Sequence, residues 1–285
     1  MGIAQQLIDG LSVTSILILG ALGLGITFGV MKVLNMAHGE LIMVGAYSMY
    51  IFNTVLGIPF FIGIIFSFMS AALIGLLIEK TVIRRLYGRP LETLLATFGL
   101  SIILQQLVKI IFGTGGKSVQ NPLNGTLHMG EIVFPYYRMM IILVAVFILL
   151  ITSVVMFKTN FGIQLRSVSQ NRQMSESLGI DTSKVDMLTF AFGSGIAGVA
   201  GAMLAPIRSI SPTMGFEYLI DSFMVIVLGG VGSLLGIFSG SLITGEFNQL
   251  LTAFTSETSA KILVFLLIII IIRFKPSGLF GKEGR

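Results

Sequence analysis

Cysteine is absent from the 285 residues, which excludes disulfides and thiolate metal sites. Charge is scarce as well: 11% of residues are Asp, Glu, Lys or Arg, against about 25% in an ordinary soluble domain. Histidine occurs only as His38 and His128, with no His-Glu-x-x-His pairing, so no zinc-protease helix is encoded. The Gly-x-x-x-x-Gly-Lys-Ser/Thr loop that cradles nucleotide phosphates is missing too, so ATP is not bound here by that mechanism. No Lys or Arg precedes Lys32. The start therefore lacks the basic region of a cleaved signal peptide, and the first apolar segment is expected to be retained.

Apolar sequence dominates instead. Hydrophobic residues make up 54% of the chain, and uncharged runs of helix length recur to its end. This predicts an all-α polytopic membrane protein whose crossings pack as one transmembrane domain, residues 1–285. The net charge of +5 would hint at nucleic acid in a soluble protein. Here the basic residues gather between apolar runs, where they act as topology signals, so lipid and not nucleic acid is the expected surrounding.

Crossings are predicted at 11–30, 33–52, 59–78, 91–112, 139–157, 187–204 and 260–272. Two more are expected within 218–251, hinged at Gly229-Gly230-Val231-Gly232-Ser233. The total is nine, or eight if the interrupted segment does not span twice. Lys80, Arg84, Arg85 and Arg89 in one connector, Arg166, Arg172 and Lys184 in another, and Arg273 and Lys275 after the last crossing place those segments in the cytoplasm. The N-terminus is then outside and the C-terminus inside. Small residues spaced by four (Gly25 with Gly29; Gly193, Ala197 and Gly201; Ser194, Gly198 and Ala202) predict close helix packing. For the Gly25/Gly29 pair, backbone lining of a pore is the alternative.

Two stretches carry chemistry. The second crossing holds Asn35, His38 and Glu40, with Gly39 between the last two. Ionisable groups at membrane depth are costly and face protein or a water-filled cavity, and a glycine among them suggests a discontinuous helix near His38–Glu40. On an unbroken helix Asn35 and His38 share a face, and Glu40 points nearly the opposite way. Thr97, Ser101 and Gln105 form a polar stripe at i+4 spacing on the fourth crossing. A solute path and satisfied interhelical hydrogen bonds explain these residues equally well. The second stretch lies in the longest cytoplasmic connector, about 158–186. Residues 169–180 read as a short polar helix stopped by Gly179. Within it Arg172 and Glu176 are placed to pair at i,i+4, with Leu178 and Ile180 as apolar anchors for a cytoplasmic partner. An ordinary linker helix is the alternative.

These stretches together resemble the membrane subunits of ABC importers of the branched-chain amino acid and urea family. The matching motifs are Asn35-Met36-Ala37-His38-Gly39-Glu40, the segment Ala96–Gln106, Gln170-Asn171-Arg172 through Gly179-Ile180-Asp181, the segment Asp221–Ser233, and Lys275-Pro276-Ser277-Gly278-Leu279-Phe280. The run Gly25–Met31, the Pro135-Tyr136-Tyr137-Arg138 sequence and the form of 221–232 look most like the urea branch, although Lys32 stands where the family often has glycine. The resemblance implies a permease for a small polar solute, urea in the first place and a branched-chain amino acid or short amide as the alternative. It implies a substrate path near Asn35, His38, Glu40, Thr97, Ser101 and Gln105. It also implies a coupling segment comprising Gln170, Asn171, Arg172, Glu176, Leu178, Gly179 and Ile180. The implied partners are a second related permease subunit, two cytoplasmic ATPase subunits and an extracytoplasmic solute-binding protein in the inner membrane; no cofactor or metal is implied. An intramembrane enzyme using His38 and Glu40 is the rival of a different class, and a passive channel is another.

The topology has a direct check, made simple by the lack of cysteine. Single cysteines at Arg85 and at Asn124 are expected to react with membrane-impermeant thiol reagents from opposite sides, and reaction from the same side would overturn the assignment.

Overall fold

The structure is a computed structural model that describes residues 3–129 and 132–281. Its helices are α1 (Ile3–Met31), α2 (His38–Met49), α3 (Phe60–Thr81), α4 (Pro90–Phe112), α5 (Tyr136–Lys158), α6 (Asn160–Gln170), α7 (Arg172–Ser177), α8 (Thr182–Leu204), α9 (Met214–Gly229), α10 (Leu234–Thr252) and α11 (Glu257–Phe274). A π-helical turn, Tyr50–Val55, prolongs α2, and a 3₁₀ turn, Ile83–Leu86, follows α3. Inside the loop expected at 113–135, β1 (Thr126–Met129) and β2 (Ile132–Pro135) pair as a small antiparallel hairpin, with Thr126 opposite Pro135. His128 is exposed there.

Helix starts follow local chemistry. Proline opens α4 and immediately precedes α3 and α5, where its missing N–H costs nothing. Asp181, Ser233 and Ser256 cap α8, α10 and α11 through side-chain oxygens that accept backbone N–H bonds. Five helices (residues 5–31 of α1, then α3, α4, α5 and α8) are each long and apolar enough to cross a membrane. The run expected to break at Gly229–Ser233 does so: α9 and α10 meet at a bend of 118°, with Gly230 in the left-handed region at φ 100°. The tail motif 275–280 then folds back, and the Leu279 and Phe280 N–H groups donate to the Leu228 and Gly229 carbonyls. Carbonyls at the end of α9 that have no partner within the helix are thereby satisfied.

The middle of the bundle is made of backbone in contact with backbone. All twelve residues of α2 are buried. Gly45 meets the backbone of Gly198 on α8, Gly39 meets Gly215 on α9, and Gly23 of α1 meets Gly193 of α8. The two small-residue stripes of α8 serve different neighbours: Gly193 faces α1 and Gly201 faces α2, whereas Gly198 faces Ser67 and Ala71 of α3 and Ser194 fits against Gly75 of the same helix. Gly25 and Gly29 are packing residues, set against Ile237 and Gly232. In lipid there is no hydrophobic drive between helices, so such close approach supplies the packing attraction.

Two expectations need correction. The break in the second crossing does not fall within His38–Glu40. The irregular segment is 32–37, and α2 begins at His38. Gly39 is helical and permits close approach to α9. The bend is made earlier, at Lys32, whose φ of 52° makes it the one non-glycine residue with positive φ among the described residues. That conformation favours glycine. The expected helix over 169–180 is also divided, because Asn171 is extended (φ −151°, ψ 102°) and separates α6 from α7.

A Cβ at Gly201 would fall on the Ile42 carbonyl, whereas one at Gly99 would meet nothing. Gly201→Val is therefore expected to destabilise the purified protein by about 1–3 kcal/mol or more through overpacking, and Gly99→Val to leave its thermal midpoint nearly unchanged. Equal midpoints for both variants would contradict the packing described.

Candidate functional site

The six residues proposed for a solute path are gathered around the start of α2, but in two directions. In the 32–37 segment the Asn35 side-chain oxygen accepts from the Ala37 N–H at 3.0 Å, and the His38 N–H donates to the Asn35 carbonyl at 3.3 Å. This local turn sets the helix going. Thr97 of α4 completes it: its hydroxyl accepts from the Met36 N–H at 3.1 Å. Glu40 also points to α4, where its Oε1 accepts from Ser101 Oγ at 2.9 Å and Gln105 Nε2 at 2.8 Å. His38 faces the other way, and its Nε2–H donates to the Gly20 carbonyl of α1 at 3.0 Å. Among the described residues three buried atoms here have no hydrogen-bond partner: Asn35 Nδ2, His38 Nδ1 and Glu40 Oε2.

Depth follows from α4. Ser101 lies eleven residues after Pro90, roughly 16 Å at 1.5 Å per residue, which is halfway along the 23-residue α4. A helix thus opens halfway along the bundle, with a carboxylate in its first turn and an irregular segment below it. His38 and Glu40 bind opposite neighbours and converge on no common point. Among the described residues no group of three His, Cys, Asp or Glu side chains is placed to hold a metal ion.

At the end carrying the 80–89 and 158–186 connectors, α7 is held by charge. Asn171 caps it, its side-chain oxygen accepting from the Met174 N–H at 3.0 Å. Arg172 pairs with Glu176 at 3.4 Å and also reaches across to Asp186 of α8 at 2.7 Å, a carboxylate with no solvent exposure. The Arg172 guanidinium lies over the Tyr87 ring, and the Tyr87 hydroxyl donates to buried Glu79, which also pairs with Arg84 at 3.3 Å. Burial, with Asp186 and Glu79 close by, pushes the Tyr87 phenol up, so it remains a donor. Gly179 adopts φ 83° as the helix stop. The two expected anchors part company: Leu178 is 73% exposed, but Ile180 packs partly into the chain's own core. Gln170 and Asn171 are exposed.

Sequence reading missed Met174, 60% exposed beside Leu178, and the cluster in which the buried carboxylates of Glu79 and Asp186 meet half-buried Arg84 and Tyr87. A signal for the latter exists, since Glu79 and Asp186 interrupt apolar helix ends, where a lone carboxylate requires a partner.

An all-α polytopic membrane bundle wound round a half-depth helix is the class that this geometry defines. The chain belongs to the family described as branched-chain amino acid transport system / permease component, whose model matches residues 6–272. It is therefore a transport subunit and not an enzyme. It is 29% identical to the high-affinity branched-chain amino acid transport system permease protein BraD of Pseudomonas aeruginosa, over 98% of this chain and 95% of that one. It is 28% identical to LivH of Escherichia coli K12, over 98% and 95%, and 22% identical to LivM of the same organism, over 97% of this chain and 70% of that one. No solved structure matches. These relatives are branched-chain amino acid permeases, so they lend no support to the expected urea branch.

Glu40 provides the test of the site. Glu40→Gln keeps an acceptor for Ser101 and Gln105, so the complex is expected to assemble in normal amount while solute uptake falls. Glu40→Leu strands both donors, at a cost of about 1–3 kcal/mol, and is expected to lower assembly as well. Membrane abundance measured beside uptake separates the two effects, and full uptake in Glu40→Gln would remove the charge from the mechanism.

Proposed function

We propose that this chain is one of two related permease subunits of an ATP-driven importer that carries a small zwitterionic solute, a branched-chain amino acid. The observation that carries this reading is α2, a buried helix opening at mid-depth with three unpartnered polar atoms at its start. Broken helices of this kind are tolerated where the freed groups line a path or meet a solute. Family membership and the amino-acid relatives favour the solute class. Similarity to both LivH and LivM, two permease proteins of one organism, supports pairing with a related subunit.

In this reading the membrane is the inner membrane and the end bearing Arg84, Arg166, Arg172 and Lys275 is cytoplasmic. One of the two ATPase subunits docks there on the segment of about 169–181 that contains α7, and an extracytoplasmic binding protein delivers solute to the opposite end. Leu178 and Met174 offer apolar contact to an ATPase groove, since water-excluding contacts dominate docking. Arg172 links α7 to Asp186, so displacement of α7 is passed to the foot of α8. Asn35, Glu40 and the Thr97–Ser101–Gln105 stripe line or brace the path. Urea is the second reading, resting on the likeness of 25–31, 135–138 and 221–232.

One reconstitution decides between them. In vesicles holding both permeases and ATPases, L-leucine with its binding protein is expected to stimulate ATP hydrolysis and to be taken up, and urea to do neither. Stimulation by urea alone would reverse the solute assignment. A Leu178→Asp, Gly179→Val double variant is expected to insert and pair normally but to lose stimulation and ATPase binding. Retention of both would remove α7 from the coupling.

A further inference from the structure

The end of the bundle opposite α7 holds a cavity of about 590 Å³ between α1, α9, α10, α11 and the 205–213 loop. This volume falls within the usual range for small-molecule sites, roughly 300–1,000 Å³. It collects charge out of proportion to the rest of the molecule. Of the 31 charged residues in the chain (18 basic plus 13 acidic), seven line this one space. Six of them form three ion pairs, each joining two different elements: Asp9 of α1 with Arg138 of α5, Asp221 of α9 with Lys261 of α11 at 3.2 Å, and Arg208 of the loop with Glu257 of α11 at 2.8 Å. Glu217 of α9 adds a carboxylate that enters no ion pair among the described residues. Another part of the wall is apolar, formed by Val13, Ile16 and Leu17 of α1 with Leu204 and Met214.

We propose that this cavity is a reception site for the zwitterionic solute before it reaches α2, an inference that rests on the amino-acid reading above. The chemistry argues from both kinds of wall. Four carboxylates and three cations suit neither a simple anion nor a simple cation, and a neutral solute has no charge with which to replace a partner in these ion pairs. An α-amino acid carries both signs on adjacent atoms. Its carboxylate would meet Lys261 and Arg208, its ammonium would meet Asp221 and Glu217, and its aliphatic side chain would lie on Ile16, Leu17 and Met214. Exchange is cheap because partly exposed ion pairs contribute little net stability. The Lys261 side chain is 31% exposed and Arg208 57%, so both cations are open to a competing carboxylate. Asp221, at 14%, is the fixed member of its pair. The solute would take over existing charge pairs without requiring buried charge to be left alone.

The test uses the assembled permease–ATPase complex in vesicles, without the binding protein, and a single cysteine at Ser211 on the cavity wall. L-leucine is expected to slow modification of Ser211→Cys by a charged thiol reagent, and urea is not. Asp221→Asn and Lys261→Met are each expected to weaken that protection roughly tenfold or more, as loss of a charge-assisted contact should, while Lys261→Arg retains it. Abundance of assembled complex, measured for each variant, separates these effects from misfolding. Absence of protection up to the solubility limit of L-leucine, or protection that survives both substitutions, would overturn the assignment. If L-leucine uptake by the full system is intact while protection is absent, only the cavity proposal fails. If uptake of L-leucine is itself absent, the functional reading fails and the cavity proposal falls with it.

Discussion

Backbone that leaves a helix inside lipid must find new hydrogen-bond partners, because no water is there to supply them. Most of this architecture can be traced to meeting that demand at 32–37. The turn at Lys32 lets the chain leave α1, Asn35 supplies an acceptor for the Ala37 N–H, and Thr97 receives the Met36 N–H from a different helix. The segment is thus solvated by protein. α2 is also surrounded tightly, and its own Gly39 and Gly45, with Gly198 and Gly201 of α8 and Gly215 of α9, let α8 and α9 approach it within backbone contact.

Charge in so apolar a chain is concentrated where it ties elements together. At one end Arg172, Asp186, Tyr87, Glu79 and Arg84 connect α7 and α8 to the foot of α3 and the turn before α4. At the other, three ion pairs bracket a cavity among α1, α5, α9 and α11. Glu40 lies between, joined to α4 by hydrogen bonds instead of a countercharge. Partly exposed pairs add little net stability, whereas stranding the fully buried carboxylate of Glu79 or Asp186 would be costly, so the α7 end is the more firmly fixed of the two.

The extent of the long helices was legible because length and apolarity decide it: α3, α4 and α5 fall within a few residues of the predicted crossings. The Gly229–Ser233 hinge and the stripes on α8 were legible for a related reason, since small residues at fourfold spacing have few other uses in lipid. The position of the break was not, because Gly39 draws the eye as a helix breaker while its real task is contact with Gly215, a neighbour 176 positions away in sequence. The division at Asn171 was hidden for the opposite reason: a polar residue that caps one helix reads equally well as the interior of a longer one. The pairing of Arg172 with Asp186 and the gathering of seven charges on one cavity depend on tertiary placement, which no local pattern announces.

Helices that touch through bare backbone have no layer of side chains to slide over or repack. α1, α2, α8 and α9 meet in that way, and so they behave mechanically as one stiff block with no internal bearing surface. α4 is different: it leans on the block through a few side-chain attachments, Thr97 against the 32–37 segment, Ser101 and Gln105 against α2, and the tilted ring contact of Phe112 with Tyr47. Relative movement within this subunit is therefore expected where α4 swings on polar pivots, and a push on the foot of α8 would carry the block, with the mid-depth opening of α2, as one body.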